Sequence, residues 1–201
     1  MKLFNTADPS KNHLPYDGTV QYYGVAIANQ QHYYHQLLHT IDWEHDKALI
    51  FGKLITTKRK VAWCGDKDFA YKYSGIEKVA SPWNAILFEL KSTVENITGE
   101  TFNSCLLNLY HDGNEGMTWH SDGEKDLQKN GAIASVSFGA ERKFSFEHKV
   151  TKEKIDIVLE NGSILLMKDE TQTHWLHRLP PSTRILSPRI NLTFRTITEP
   201  K

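Results

Sequence analysis

The sequence predicts a mainly β protein with flanking helices (α+β), built as a sandwich or jelly roll. Two observations support this fold class. Short strand-like runs, separated by turn residues at similar intervals, fill the second half of the chain. A strong helical pattern precedes them, and 201 residues suffice for one domain with a single substantial core. We therefore expect one domain over residues 1–201.

Composition excludes several classes of protein. Apolar residues make up 39% and charged residues 24% of the chain, as in ordinary globular proteins. The formal net charge is zero, so nucleic acid would have to bind a local basic patch. The two cysteines, Cys64 and Cys105, form no disulfide pattern, and no secretory signal or membrane span is evident. We expect an intracellular monomer without a membrane partner, cytoplasmic or in the nucleoid, or nuclear in a eukaryote.

The first half of the chain is predicted to contain an arm and two helices. Prolines and an Asp-Gly pair make residues 1–19 an irregular arm. A helix is expected over residues 29–41. A stronger helix signal begins at Ser81-Pro82, which would supply an N-cap and a first-turn proline. The apolar stripe that follows has the helical period and ends before Gly99. We expect the helices in this half and the strands in the other.

Six strands are predicted after the second helix. They cover residues 104–110, 132–138, 143–147, 154–159, 164–167 and 190–197. Alternation at Ile155, Ile157 and Leu159 is typical of a half-buried strand.

The triplet His120-Ser121-Asp122 is the first candidate for metal chemistry. In extended chain, residues i and i+2 point to the same side, so the imidazole and the carboxylate can converge. A third ligand has to come from elsewhere, and spacing alone separates the candidates His174 and His177. Two histidines and one carboxylate form the facial triad of non-haem Fe(II) oxygenases. Taken alone, such a triplet is more often a surface polar pair.

The last predicted strand has one polar and one apolar face. The alternate residues on these faces are Arg189, Asn191, Thr193 and Arg195 on one side, and Ile190, Leu192 and Phe194 on the other. The polar set makes a poor buried face unless an anion fills it. A dicarboxylate suits two guanidinium groups, which bind carboxylates in bidentate fashion. A solvent-facing edge strand explains the pattern equally well.

Together these elements resemble the AlkB family of Fe(II)- and 2-oxoglutarate-dependent dioxygenases. The motifs in the family's order and approximate spacing are Asn108-Leu109-Tyr110, His120-Ser121-Asp122, His177 and Arg189-x-Asn191-x-Thr193-Phe194-Arg195. The similarity runs from about residue 50 to 196 and is greatest to the DNA-repair branch, which includes the animal enzymes. Further matches are Ile50-Phe51-Gly52-Lys53 and Tyr71-x-Tyr73-Ser74-Gly75. The spacing to Arg189 favours His177 over His174 as the ligand.

The resemblance implies a double-stranded β-helix core over residues 100–198 with helices packed outside. It implies that His120, Asp122 and His177 bind Fe(II), and that Arg189 pairs with the distal carboxylate of 2-oxoglutarate. The residues expected to complete the cosubstrate pocket are Asn108, Tyr110, Asn191, Thr193 and Arg195. The expected reaction is oxidative dealkylation of bases such as 1-methyladenine and 3-methylcytosine in DNA. It consumes O₂ and releases formaldehyde, succinate and CO₂, and no catalytic nucleophile is expected.

The resemblance also implies a nucleotide-recognition segment over residues 45–80. Phe51 is expected to act as a wedge that replaces a flipped base, with Tyr73 stacking on that base and Tyr71 hydrogen-bonding to it. The other residues expected to bind substrate are Gly52, Lys53, Arg59, Lys72, Ser74 and Glu124. Alternating aromatics of this kind are otherwise core or sheet-surface residues.

Two features of the sequence bear on the nucleic-acid partner. A basic cluster suited to phosphates consists of Lys53, Lys58, Arg59 and Lys60. Glu124 can accept a hydrogen bond from an exocyclic amine. The residue before it is Gly123, where close DNA-repair relatives commonly carry a second acidic residue, and this leaves the preferred lesion open.

Other functions compatible with these motifs are RNA demethylation, protein hydroxylation, zinc hydrolysis and non-catalytic binding of nucleic acid by a barrel. RNA and DNA bases both fit the aromatic residues. The paired arginines argue against a zinc hydrolase, which needs no dicarboxylate pocket. The intact set of metal-binding candidates argues against a barrel that has lost its metal.

Overall fold

The computed structural model describes residues 7–50, 53–73 and 76–198. In chain order its elements are β1 (Thr19–Val25), α1 (Gln30–Thr40), β2 (Glu44–Ile50), β3 (Lys53–Gly65), β4 (Ala70–Tyr73), β5 (Ile76–Val79), β6 (Ser81–Pro82), α2 (Ala85–Thr98), β7 (Ser104–Tyr110), β8 (Met117–His120), β9 (Ile133–Gly139), β10 (Arg142–His148), β11 (Lys154–Leu159), β12 (Ser163–Lys168), α3 (Thr171–His174), β13 (Trp175–Leu179) and β14 (Arg189–Arg195).

Two mainly antiparallel sheets face each other as a jelly roll, which confirms the predicted fold class. The large sheet has the strand order β1-β12-β9-β14-β7-β3-β2, and the short strand β6 pairs with β3. The small sheet has the order β11-β10-β13-β8, and β4 and β5 form a separate hairpin. The six predicted strands of the second half are present, and β8 and β13 are additional.

Alternate side chains of the large sheet build two apolar layers, as the period of an extended strand requires. In β12, Ile164 and Leu166 belong to the layer that also contains buried residues of α1 and α2. Leu165 and Met167 belong to the layer between the sheets, where Trp175 is fully buried. Complete burial of one such apolar side chain stabilises the fold by about 1.5–3 kcal/mol. No helix in the described part of the chain is long and apolar enough to cross a membrane.

The predicted start of the second helix is wrong by three residues. Ser81–Pro82 is extended, because its backbone pairs in parallel with β3. Asn84 is the actual N-cap, and its side-chain oxygen accepts a hydrogen bond from the backbone N–H of Leu87 at 2.9 Å. The predicted end is confirmed, since Gly99 caps the helix with φ of 73°. The first helix, predicted over 29–41, forms at Gln30–Thr40.

The expectation that strands are confined to the second half of the chain is wrong. β1 pairs with β12, and β3 pairs with β7 in the large sheet. The first half of β3 is rich in lysine and threonine, which hides its strand character in the sequence. Pairing with β2 and β7 imposes the extended conformation there, because tertiary context overrides weak local preference.

Gly139 at the end of β9 is predicted to be intolerant of any side chain. Its φ is 86°, and a Cβ atom there would lie 2.5 Å from the carbonyl oxygen of Pro188. We expect Gly139→Ala to lower the free energy of unfolding by about 3 kcal/mol, because the strained backbone and the clash add together. Urea denaturation followed by circular dichroism measures this loss.

Gly99 provides the matched control. Its φ is 73°, but a Cβ there would meet nothing within 4 Å. Gly99→Ala should therefore lower the free energy of unfolding by only about 1 kcal/mol, the contribution of backbone strain alone. Equal losses in the two variants would contradict the steric explanation for Gly139.

Candidate metal centre and adjoining pocket

A cavity of about 150 Å³ lies between the large and small sheets. All four polar residues of the last strand line it, namely Arg189, Asn191, Thr193 and Arg195. The three apolar residues Ile190, Leu192 and Phe194 are fully buried on the opposite face. β14 is a central strand between β9 and β7, so the alternative of a solvent-facing edge strand is wrong.

His120, Asp122 and His177 converge at one wall of this cavity. His120 ends β8 and pairs directly with His177 of β13. The Nε2 atoms of His120 and His177 lie 3.6 Å and 3.8 Å from Oδ1 of Asp122. These separations exceed hydrogen-bond lengths, and the three ligand atoms all lie within 4.8 Å of one another. The side chains therefore face a common centre without bonding to each other.

The protonation states of the three side chains suit a divalent metal ion. Nδ1 of His120 donates to the carbonyl oxygen of Thr118 at 2.8 Å, which leaves the Nε2 lone pair free. Burial lowers the pKa of His177 to about 4, so its imidazole is neutral at physiological pH. Although burial opposes ionisation of Asp122, the Arg195 guanidinium at 3.1 Å and both imidazoles hold its pKa below the ordinary value. The residues present fit an ion such as Fe(II).

Two residues that sequence reasoning missed hold the ligand loop from outside. The backbone N–H of Asp122 donates to Oε1 of Gln172 at 2.9 Å. Lys149 Nζ donates to the carbonyl oxygen of Gln172 at 2.9 Å and to Oγ of Ser121 at 3.3 Å. These residues lie 50 and 28 positions from their partners in the loop, so no local motif could have revealed them.

Arg189 is a buried cation whose surroundings fit an anionic ligand. Its side chain is 2% exposed, and Nη2 donates to Oγ of Ser137 at 2.8 Å. Its Nε is buried without a hydrogen-bond partner, and it forms no ion pair within the described part of the chain. Burial lowers its pKa to about 10, which still leaves it charged at neutral pH. A buried guanidinium without a carboxylate is costly, so the site is suited to the distal carboxylate of 2-oxoglutarate.

The other residues expected to bind the cosubstrate also line the cavity. Asn108 and Tyr110 of β7 are 7% and 3% exposed. Nδ2 of Asn191 donates to Oγ of Ser135 at 2.9 Å, which fixes the orientation of the amide. Thr193 lies two residues further along the same face. The structure therefore brings together every residue predicted for the metal and for 2-oxoglutarate.

Arg142 is a second buried arginine that the sequence did not reveal. Its Nη2 donates to the carbonyl oxygens of Glu115 at 2.8 Å and Pro180 at 3.0 Å. Its guanidinium lies 6.0 Å from the ring of Tyr110, and that of Arg189 lies 5.6 Å from the same ring. Backbone carbonyls satisfy Arg142, so it ties together two loops beside the cavity and differs from the incompletely bonded Arg189.

His174, the competing candidate ligand, belongs to another group of residues. It lies near Asp17 and His148, away from Asp122. His148 Nε2 bonds to Oδ2 of Asp17 at 3.2 Å, and its Nδ1 accepts the backbone N–H of Thr151 at 3.1 Å. Because Nδ1 accepts, Nε2 carries the proton and offers no lone pair to a metal. This group supports the fold of the loop and does not form a metal site.

The predicted nucleotide-recognition residues are described only in part. Phe51, Gly52 and Ser74 lie outside the described residues. The backbone of Lys53 belongs to β3, and Tyr71, Lys72 and Tyr73 belong to the β4–β5 hairpin. The assignments of these residues stay predictions.

Two residues predicted to bind substrate line the cavity itself. Glu124 Oε1 lies 3.8 Å from Nη1 of Arg195, close to the metal ligands. Arg59 pairs with Asp46, with Nη2 2.5 Å from Oδ2, and it also contacts the sulfur of Met117. The guanidinium of Arg59 lines the cavity and is neutralised by Asp46, and its assignment to the basic cluster for phosphates stays a prediction.

The chain is similar to known proteins over most of its length. The sequence model described as "2OG-Fe(II) oxygenase superfamily" matches residues 21–195. The chain is 37% identical to mouse (Mus musculus) "DNA oxidative demethylase ALKBH2", with 97% of this chain and 77% of that protein covered. It is 36% identical to the human (Homo sapiens) protein of the same name, with 97% and 71% covered.

Two further similarities are more distant or cover less. The bovine (Bos taurus) "Alpha-ketoglutarate-dependent dioxygenase alkB homolog 3" is 36% identical, with 82% of this chain and 60% of that protein covered. Among solved structures, one described as "The structure of OsALKBH1" superposes with a TM-score of 0.62, covering 91% of this chain and 99% of that one. Its identity is 12%, so it supports the fold alone.

The geometry predicts that His177, and not His174, binds the metal. We expect His177→Ala to weaken binding of Fe(II), or of Co(II) as a spectroscopic substitute, by about 100-fold or more, since one of three ligands is lost. Anaerobic titration monitored by absorption measures the affinity. His174→Ala is the matched control and should bind the metal like the parent protein. Loss of binding in the His174 variant alone would reverse the assignment.

Proposed function

This chain belongs to the AlkB family within the 2OG-Fe(II) oxygenase superfamily, and from this premise we propose that it oxidatively dealkylates N-alkylated bases in DNA. The observation that carries the proposal is the convergence of His120, Asp122 and His177 beside Arg189, a buried arginine without a carboxylate partner among the described residues. The relatives named as DNA oxidative demethylases support DNA as the substrate. Bases such as 1-methyladenine and 3-methylcytosine are the expected substrates in the repair of alkylation damage.

The three ligands would hold Fe(II) at the cavity wall. When bound, Fe(II) together with 2-oxoglutarate and O₂ supplies the oxidation of an N-methyl carbon, which leads to succinate, CO₂ and formaldehyde. Arg195 keeps Asp122 ionised as a ligand, because its Nη2 lies 3.1 Å from Oδ2. His120 presents its Nε2 lone pair because Thr118 fixes the other nitrogen. No side chain has to act as a nucleophile.

The remaining cavity residues bind and orient the cosubstrate. Arg189 would pair with the distal carboxylate of 2-oxoglutarate, and Tyr110 and Asn191 would bound the same compartment. Apolar side chains, among them Leu106 and Phe144, line the cavity and exclude water from the reacting atoms. Every one of these side chains comes from a single chain.

We further propose that the enzyme acts as a monomer inside the cell. The completeness of the pocket within one chain supports the monomer. Cys64 and Cys105 are both free and buried, in keeping with a reducing compartment. Gel filtration coupled to light scattering tests the oligomeric state, and imaging of a tagged protein tests the location.

The direct test is incubation of the purified protein with Fe(II), 2-oxoglutarate and single-stranded DNA carrying 1-methyladenine or 3-methylcytosine. We expect the oligonucleotide to lose one methyl group and succinate to accumulate in equal amount. RNA of the same sequence and an unmodified oligonucleotide serve as comparisons. Activity on RNA with none on DNA, or no change in any methylated oligonucleotide, would contradict the proposal.

Removal of the Arg189 guanidinium should weaken cosubstrate binding selectively. We expect Arg189→Met to raise the KM for 2-oxoglutarate by about 100-fold, because a charge-assisted bidentate contact in a buried site is lost. Arg178→Met is the matched control, since Arg178 stacks on Trp119 and does not line the cavity. Steady-state succinate formation measures both, and an unchanged KM in the Arg189 variant would exclude the assignment.

The wedge function proposed for Phe51 predicts a dependence on strand state. We expect Phe51→Ala to lower repair of a lesion in duplex DNA by about tenfold, because the space left by the flipped base is no longer filled. Repair of the same lesion in single-stranded DNA should change by less than about twofold, since no base pair has to be opened. Equal losses on the two substrates would count against a wedge.

A further inference from the structure

An irregularity in the β2–β3 pair directs two charged side chains into the cavity. The register is interrupted between His45 and Lys47, so Asp46 lies opposite residues 57–59 of β3. Bulges of this kind re-aim side chains and are enriched beside active sites. Asp46 is 5% exposed, the side chain of Arg59 is 11% exposed, and both line the cavity. The sequence gives no local sign of this pairing.

Among the buried cavity-lining atoms without a hydrogen-bond partner are one donor and one acceptor from residues outside the metal and cosubstrate sets. Nε of Arg59 is buried without a hydrogen-bond partner, and so is Oε2 of Glu124. An unpaired buried polar atom carries a desolvation cost, so each atom is suited to a ligand that completes its hydrogen bonding. The expected ligand presents an acceptor to Arg59 and a donor to Glu124.

The two residues lie near opposite ends of β7. Arg59 lies next to Lys60, which pairs with Leu109, and so it is at the Tyr110 end of β7. Glu124 contacts Arg195, which pairs with Ser104 at the other end of that strand. The seven residues of β7, from Ser104 to Tyr110, span roughly 20 Å of backbone. The side chains of Arg59 and Glu124 both line the cavity between these ends.

Arg59 and Arg189 differ in whether a carboxylate already balances their charge. Arg189 has no carboxylate partner in the described part of the chain and suits a free carboxylate. Arg59 is already neutralised by Asp46, so a second carboxylate would gain little there. A neutral carbonyl oxygen is the better acceptor for a guanidinium that is oriented in this way.

We propose that Arg59, positioned by Asp46, donates a hydrogen bond to the O2 carbonyl of 3-methylcytosine, while Glu124 accepts from its exocyclic amine. Both 3-methylcytosine and 1-methyladenine carry an amine on one side of the methylated nitrogen. On the other side, 3-methylcytosine has a carbonyl oxygen and 1-methyladenine has a C–H group. The pocket therefore selects 3-methylcytosine, because the adenine lesion leaves the buried donor unpaired. This inference rests on the proposed function and specifies its substrate.

The test compares kcat/KM for two single-stranded oligonucleotides that differ only in the lesion. The parent protein should prefer 3-methylcytosine by about tenfold or more, as expected for one buried charge-assisted hydrogen bond. Arg59→Met should reduce this preference by about tenfold, through loss of activity on 3-methylcytosine. Asp46→Asn should reduce the preference for 3-methylcytosine by a smaller factor, since the Arg59 donor remains and only its positioning is weakened. Arg59→Lys, which keeps the charge and loses the planar fork, should give an intermediate preference.

Lys58→Met is the matched control for charge. Lys58 is exposed and adjacent to Arg59, so its removal should lower activity on both lesions by the same factor and leave the preference unchanged. Thermal unfolding of each variant separates loss of fold from loss of selectivity. The KM for 2-oxoglutarate should stay at the parent value in Arg59→Met.

Binding without Fe(II) gives a readout that does not depend on turnover. Fluorescence anisotropy should show tighter binding of the 3-methylcytosine oligonucleotide by the parent protein, and Arg59→Met should abolish the difference. Equal preference in the parent protein, equal losses on both lesions in Arg59→Met, or a raised KM for 2-oxoglutarate would overturn the inference. Absence of demethylation with selective binding retained would instead contradict the proposed function and leave the recognition intact.

Discussion

The buried polar face of β14 is the constraint on which the rest of the site depends. A central strand of a sheet packed on both sides would ordinarily be apolar on both faces. Here Arg189 and Arg195 stand at the two ends of one face, with an amide and a hydroxyl between them. Arg195 is compensated by Asp122, whereas Arg189 has no carboxylate partner in the described part of the chain and donates to the hydroxyl of Ser137. The fold therefore contains a cationic compartment whose charge an anion would balance. Next to it lies a carboxylate that is placed to bind a metal ion.

The residues that touch the ligands are themselves held in place by a wider network. Gln172 and Lys149 fix the loop of Asp122, and Arg142 fixes the loops beside Tyr110 through four backbone carbonyls. Such support matters because small displacements of reacting groups reduce rates strongly. The irregular β2–β3 pairing likewise holds Arg59 in place, because it brings Asp46 next to the Arg59 guanidinium. Asp46 and Asp126 also line the cavity with carboxylates.

Short-range sequence patterns predicted those parts of the molecule whose conformation depends on neighbouring residues in the chain. The alternation of β14 assigned each of its side chains to the correct face, and His120 and Asp122 were identifiable from their spacing of two. The choice between His174 and His177 needed the resemblance to a family, because the two lie three residues apart and no local pattern distinguishes them. Pairing decided the rest: Ser81–Pro82 is extended because it pairs with β3, and the lysine-rich start of β3 is a strand because β2 and β7 flank it. Gln172, Arg142 and Asp46 act through distant partners and leave no trace in a short window.

The position of β8 in the small sheet has a mechanical consequence. β8 is an edge strand of four residues that pairs only with β13 within that sheet, and its register is irregular. His120 lies on this edge strand and His177 on its inner neighbour, so an ion coordinated by both would cross-link the last pair of strands. Metal loading and local order of the edge are thereby linked. Amide hydrogens of residues 117–120 would exchange with solvent more slowly when the metal ion is bound, while those of the central strand β14 would hardly respond.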